Sequence, residues 1–319
     1  MNQSEMNQLK SQGYIVVPLI KEDDSERCRT DFMETCNDFP EFVKNRLFQN
    51  FKFVNGGFSA FANPASFHNP FVREMRIKAF EKFSEIFEGC GRNAHTLFDR
   101  MMLRPIGASA TAEVWHRDLT PNLDKDDLMF GGWINFNETS QYFSCVSGTH
   151  NDPKDEKTGF SKLENKAYYK SKKSLVDIKP GHMIIFYQNI VHEVLPSKAE
   201  TPQMRLFTSF RITDSETPLF ENNLGEIIRD QGVPKIPSAQ DPAMYSKFNW
   251  VFPDQRMTIV EWSKLLKDEV CSEYELKSNP GSGKLRVVHR FMHSLTHYKL
   301  AKYSEYSPED LAIFQPQKI

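Results

Sequence analysis

The sequence predicts a mainly β domain, an antiparallel sandwich or barrel, with flanking helices. Three observations carry that prediction. Between residues 96 and 213, short β-branched and aromatic segments follow one another, separated by turn residues and with no long helix between them. Helical periodicity is found before and after that stretch instead. Hydrophobic residues at 39% beside 26% charged residues exclude an intrinsically disordered chain.

Taken in order, residues 6–12 read as a short helix stopped by Gly13, and residues 14–20 have the β-branched density of a strand. A helix is expected over 24–39. Residues 55–70 mix Gly, Asn, Pro and Ser with repeated Phe and read as a long loop, whose rings either pack under a sheet or form a lid. Residues 72–87 place Met75, Ile77, Phe80, Phe83, Ile86 and Phe87 at helical spacing, closed by Gly89 and Gly91. Strand-like segments follow at 97–103, 112–115, 132–136, 142–146, 183–187 and 204–212, with a Lys-rich insertion over 151–175. After residue 213 the strand signal fades, and residues 257–267 and 284–303 read as helices. The expected organisation is a β domain over 1–215 with amino-terminal helices and a helical carboxyl-terminal extension over 216–319.

A chain of 319 residues suits two domains or one enlarged domain. Forty Lys+Arg against 42 Asp+Glu leave a net charge of −2, so no global field marks a nucleic-acid or membrane-surface protein. The 5 cysteines are scattered and contain no C-x-x-C pair, which excludes a disulfide framework and a cysteine zinc site. The polar residues 1–12 and the lack of a long apolar run predict a soluble, cytoplasmic protein without a membrane span. The 26 Phe, beside 4 Trp and 10 Tyr, must fill a core or line an aromatic cavity. Residues 161–174 are strongly basic and read either as a solvated loop or as a rim attracting an anionic substrate. A small molecule is the favoured substrate, nucleic acid and protein stay open, and the sequence does not set the oligomeric state.

The chemistry-bearing pattern is Trp115-His116-Arg117-Asp118 at the end of a strand-like segment, with His192 far downstream after another. Residues i and i+2 of an extended chain point the same way, so His116 and Asp118 can face one metal ion. With His192 arriving from a neighbouring strand, they make the two-His, one-carboxylate set of non-haem Fe(II) sites, which leaves coordination positions open. Arg205 shares one strand face with Phe207, Ser209 and Arg211. A guanidinium pointing into a barrel is costly unless it meets an anion, and its planar fork suits a carboxylate.

Several ordered landmarks over residues 9–213 resemble the phytanoyl-CoA dioxygenase-like branch of the Fe(II)/2-oxoglutarate oxygenases. They are L-K-S-Q-G-Y-I-V-V-P at 9–18, L-R-P-I-G at 103–107, W-H-R-D at 115–118, G-G-W-I-N-F-N at 131–137, V-S-G-T-H at 146–150, Pro180-Gly181, His192 and Arg205. The resemblance implies a double-stranded β-helix, a jelly-roll or cupin-like core. It implies that His116, Asp118 and His192 bind iron, that Arg205 binds the distal carboxylate of 2-oxoglutarate, and that Trp133 and Arg104 line the co-substrate pocket. The cofactors so implied are Fe(II), 2-oxoglutarate and O2, with succinate and CO2 released. Asp118 fills the position that Fe(II) halogenases leave empty for a halide, so hydroxylation or a related C–H oxidation is the implied chemistry.

Where the family commonly has Ser or Thr, two residues after the distal His, this chain has Val194. Arg211-Ile212-Thr213 imitates the R-x-[ST] motif of related oxygenases, which makes Arg211 the rival anchor; Arg205 is preferred because Arg211 is a long connection from His192. A barrel that binds without turnover and a cupin-like metalloenzyme using O2 without 2-oxoglutarate are the competing classes. His150 falls in a motif where it is commonly structural. His289, His293 and His297 share the wet face of the expected helix over 284–303, opposite Leu285, Val288, Phe291, Met292, Leu295 and Tyr298, and read as part of a basic face. Residues 279–284 lack the spacing of a phosphate-binding loop and read as a turn.

Overall fold

The computed structural model describes residues 3–37, 54–55, 58–61, 70–104, 106–107, 115–118, 128–152, 161–164, 166–195, 200–216, 312–313 and 316–319. The expected helices at 257–267 and 284–303, with the histidines of the latter, and the turn at 279–284 lie outside these residues. So does nearly all of the expected helical extension. Among the described residues no helix is long and apolar enough to cross a membrane.

The amino-terminal elements are α1 (Gln3–Gln12), β1 (Tyr14–Pro18) and α2 (Glu22–Asn37). Gly13 ends α1 at φ 86, its N–H bonded back to Leu9 O at 2.9 Å. That left-handed turn suits glycine, and a Cβ there would lie 2.4 Å from Nδ1 of His150. The segment expected as a loop instead carries a hairpin, β2 (Val54–Asn55) and β3 (Phe58–Phe61). Helix α3 (Pro70–Phe87) follows, burying Phe71, Met75, Phe80, Phe83 and Phe87.

The remaining strands are β4 (Asn93–Arg104), β5 (His116–Arg117), β6 (Leu128–Asn135), β7 (Gln141–Val146), β8 (Ser161–Lys162), β9 (Ser174–Ile178), β10 (His182–Tyr187), β11 (Val191–Glu193), β12 (Gln203–Thr213) and β13 (Gln317–Lys318). The short helix α4 (Lys166–Ser171) lies between β8 and β9, so the described part of the Lys-rich insertion includes a strand and a helix, the helix with no buried residue. Among the described residues there are two sheets. The major one runs β1-β10-β6-β12-β4-β3-β2 with β13 also on β4, and the minor one runs β8-β5-β11-β7-β9. From β4 onward the chain passes repeatedly between them: β4 major, β5 minor, β6 major, β7 minor, and again β9 minor, β10 major, β11 minor, β12 major. That alternation is the double-stranded β-helix predicted above. The last residues return to the same fold, with β13 paired to β4 and Ile319 O accepting from Gly91 N–H at 2.8 Å.

Side chains on a strand alternate, so each sheet has two faces. On the outer face of the major sheet, Phe130, Ile134, Met183, Ile185, Leu206 and Phe210 pack against α1, α2 and α3. Phe83 stacks on Phe210 at 4.4 Å between ring centres, and Phe71 meets Phe32 and Phe136. Among the described residues, Phe32, Phe71, Phe80, Phe83, Phe87, Phe130, Phe136 and Phe210 belong to this core between helices and sheet. On the inner face, between the sheets, lie Trp133, Phe143, Cys145, Ile178, Ile184, Phe186 and Ile190. This inner layer carries the candidate site.

Candidate metal centre

His116 and His192 are directly opposed across β5 and β11. Directly opposed antiparallel residues point to one face with Cβ atoms about 5 Å apart, and here the two imidazole ring centres are 4.2 Å apart. Asp118, two residues beyond His116, places Oδ1 at 3.7 Å from His116 Nε2 and 3.6 Å from His192 Nε2. One ligand atom from each of the three lies within 4.8 Å of the others. Two imidazoles and one carboxylate converging from a single side suit a divalent first-row metal ion and leave the opposite side open.

The surroundings favour metal binding over protonation. His192 Nδ1 donates to Ile190 O at 3.0 Å, which fixes the tautomer and leaves the Nε2 lone pair for a metal. Burial and, secondarily, the neighbouring His116 push the pKa of His192 down to about 4. Phe143 and Phe186 wall it at 5.2 and 5.5 Å between ring centres. Asp118 is the more open of the ligands, with 31% of its side chain exposed, so the mouth of the site is on its side.

Arg117 points away from the ligands, as strand alternation requires. Its Nη1 donates to Thr149 O at 2.7 Å and to Asn189 O, and its Nη2 pairs with Asp152 at 3.3 Å. It thereby ties the two-residue strand β5 to the turn that precedes His192.

A second cluster lies on the inner face of the major sheet. Arg205 Cζ sits over the Trp133 ring at 4.2 Å, and its Nε donates to Gln141 Oε1 at 2.6 Å. Gln141 is itself fixed, donating from Nε2 to Asn135 Oδ1 at 2.9 Å and to Met204 O at 3.1 Å. Arg104 opposes Gln203 across β4 and β12, which makes it a diagonal neighbour of Arg205 on the same face. Burial lowers the pKa of Arg104 to about 10. Burial and then the charge of Arg104 lower that of Arg205. A buried guanidinium, Arg104, beside a half-buried one, Arg205, whose charge it disfavours, would gain from an anion between them.

Arg104, Trp133 and Arg205 are thus together. Trp133, with Phe207 packed beside it, belongs to the same inner layer as Phe143 and Phe186 at His192, so the arginine cluster and the ligand triad are joined through that layer. Arg211 is buried on β12 opposite Met129, about 20 Å along the strand from Arg205, and does not join that cluster. His150 is buried, its ring stacked on Tyr187 at 4.5 Å and its Nε2 bonded to Lys10 O at 3.0 Å, which is a structural place. Gln141 and the tether by Arg117 had no signal in the sequence, since both depend on strand neighbours distant along the chain.

No family model matches the sequence, and no curated protein matches it. Among solved structures, the fold is similar to the non-heme alpha ketoglutarate dependent carbocyclase SnoK from nogalamycin biosynthesis, at 15% identity and a TM-score of 0.50, covering 66% of this chain and 84% of that one. It also matches EctD from S. alaskensis with 2-oxoglutarate and 5-hydroxyectoine, at 13% identity and a TM-score of 0.49, over 66% of this chain and 76% of that one. The epimerase SnoN, in complex with Fe3+, alpha ketoglutarate and nogalamycin RO, matches at 11% identity and a TM-score of 0.49, over 65% and 82% of the two chains. At 15% identity the likeness to SnoK is one of fold alone.

Proposed function

We propose that this protein is an Fe(II)- and 2-oxoglutarate-dependent oxygenase that oxidises a C–H bond, by hydroxylation or a related reaction, on a small molecule. The observation that carries the reading is the convergence of His116, Asp118 and His192, with one ligand atom of each within 4.8 Å of the others, on an inner layer shared with Trp133. The fold of a 2-oxoglutarate-dependent carbocyclase supports it. The landmark motifs point to the phytanoyl-CoA dioxygenase-like branch.

Fe(II) fits the donor set, because neutral imidazoles and a carboxylate suit this borderline ion and three ligands leave room for a co-substrate. When bound, Fe(II) with 2-oxoglutarate and O2 supplies the oxidising power for C–H cleavage, with release of succinate and CO2. The chain's own residues do the rest. His116 and His192 present Nε2, with His192 held in that tautomer by Ile190 O, and Asp118 presents its carboxylate from the open side. Arg205 takes the distal carboxylate of 2-oxoglutarate, held in orientation by Trp133 beneath it and Gln141 at Nε. Arg104 adds a second positive charge on the same face. Phe143 and Phe186 keep water from the ligand side of His192.

The test is anaerobic titration. One Fe(II) per chain is expected, with binding lost in His192→Ala. In the metal-loaded protein, Arg205→Ala should weaken 2-oxoglutarate by about 10- to 100-fold, the range for a charge-assisted hydrogen-bond pair. Arg211→Ala should leave that affinity within about threefold, less than the loss of one such bond. The reverse pattern would make Arg211 the anchor, and no metal binding by the folded protein would end the reading.

A further inference from the structure

We propose that Lys162 binds an anionic substituent, a carboxylate or phosphate, of the substrate at the mouth of the metal centre. The inference rests on the oxygenase reading above and names the substrate chemistry of that same site. Its basis is strand register. Cys145 opposes His192, His192 opposes His116, and His116 opposes Lys162, so these residues form one row across β7, β11, β5 and β8. Directly opposed residues of antiparallel strands share a face. The hydrogen bond from Leu163 N–H to Trp115 O, at 2.9 Å, marks His116 and Lys162 as a non-hydrogen-bonded pair, the kind whose side chains lie closest.

The neighbouring residues give an independent check on orientation. Leu163 packs with Trp115, Val146, Val191 and Tyr169 in a separate cluster. Trp115, Val146 and Val191 are each one residue away from His116, Cys145 and His192, so this cluster is the outer face of the minor sheet. Lys162, one residue before Leu163, therefore lies on the inner face with the ligands.

Chemistry and exposure then decide what Lys162 can do. β8 is the edge of the minor sheet, and Lys162 is exposed there, beside a buried His116. Among the described residues no ion pair engages its ammonium. The other lysines of the run are placed differently. Lys173 pairs with Glu193, Lys172 lies over the Tyr168 ring, and Lys166 and Lys170 belong to α4, which Tyr169 ties to the outer face. A strongly hydrated, flexible ammonium on a long stem suits an exposed anion that must bind and leave. A substrate so held has its charged end at β8 and the rest of its length along the metal-facing side of His116.

The test uses the full chain loaded with Co(II), with saturating 2-oxoglutarate to fill the arginine cluster, and a Zn(II)-loaded diamagnetic reference. Phenyl phosphate observed by 31P NMR and 4-fluorobenzoate observed by 19F NMR serve as probes. Paramagnetic broadening of at least one probe is expected, and the one broadened names the anion. Probe affinity should fall about tenfold in Lys162→Glu, as for loss of a charge-assisted bond. Lys162→Arg should retain it, and Lys170→Glu on the outer helix should leave it unchanged. Broadening of neither probe by Co(II)-loaded wild type, full affinity in Lys162→Glu, or an equal loss in Lys170→Glu would each overturn the inference while leaving the oxygenase reading standing. Absence of Co(II) binding, measured separately by titration, would defeat both.

Discussion

Replacing Gly132 with alanine is expected to damage the fold far more than the same change at its neighbour Gly131. Gly132 lies in the centre of β6, opposed by Ile185 of β10 and Thr208 of β12, so the strand is held on both sides. A Cβ there would stand 2.4 Å from the carbonyl oxygen of Ile184. Ordinary contact begins roughly 1 Å further out, and the obstacle is backbone in an internal strand that cannot move alone. Overpacking of this kind costs about 3 kcal/mol, which in a domain of this size lowers Tm by about 6–12 °C. At Gly131 the added Cβ meets the far ends of flexible rings, Phe186 Cζ at 2.9 Å and Phe207 Cζ at 3.4 Å. Those rings can give way, so a loss of about 1 kcal/mol is expected. Because Phe186 also walls His192, Gly131→Ala should weaken metal binding out of proportion to its effect on stability. Differential scanning calorimetry and chemical denaturation of both variants, with Co(II) titration of each, check this. A Tm for Gly132→Ala within about 2 °C of wild type, less than 1 kcal/mol, or a greater stability loss in Gly131→Ala, would refute the reasoning.

Two further outcomes follow from the geometry. Burial lowers the pKa of His150, so the folded protein favours the neutral ring. The stability this contributes is present above the unfolded value of about 6.5 and is lost as pH falls from there through the folded value. His150→Gln should flatten the decline in Tm between pH 7 and pH 5, and an unchanged slope would assign that decline to other groups. Arg117→Lys replaces a fork reaching Thr149 O, Asn189 O and Asp152 with a single point charge. Metal affinity should fall about tenfold, since losing one or two charge-assisted bonds costs about 1.5–3 kcal/mol, with 2-oxoglutarate affinity of the metal-saturated protein unaltered.

The parts of the fold legible in the sequence were those with strong local periodicity. The apolar spacing of α3 and the β-branched run of β1 each identify their element without knowledge of neighbours. The convergence of His116, Asp118 and His192 was partly legible for a similar reason, since the two-residue period places His116 and Asp118 on one side of an extended chain whatever surrounds them. The hairpin β2–β3 carries its own signal, Asn55-Gly56-Gly57 ahead of Phe58, but its strands are too short to stand out from the Gly, Asn, Pro and Ser that follow. β8 and β13 are two-residue strands, Ser161–Lys162 and Gln317–Lys318, whose residues have no strand preference; pairing with β5 and β4 creates them. Gln141 and Arg117 were illegible because their partners are brought close only by register between distant strands. The preference for Arg205 over Arg211 rested on sequence distance alone. The stacking on Trp133 and the diagonal placement of Arg104 give it a physical ground.

The most direct measurement of the central claim is the visible spectrum of the protein under anaerobic conditions as Fe(II) and then 2-oxoglutarate are added. A metal-to-ligand charge-transfer band that needs both additions is expected. It should be absent in Asp118→Ala, whose missing carboxylate removes one of three metal ligands, and weakened in Arg205→Ala at limiting 2-oxoglutarate. A folded, Fe(II)-loaded protein that develops no band with 2-oxoglutarate would contradict the claim.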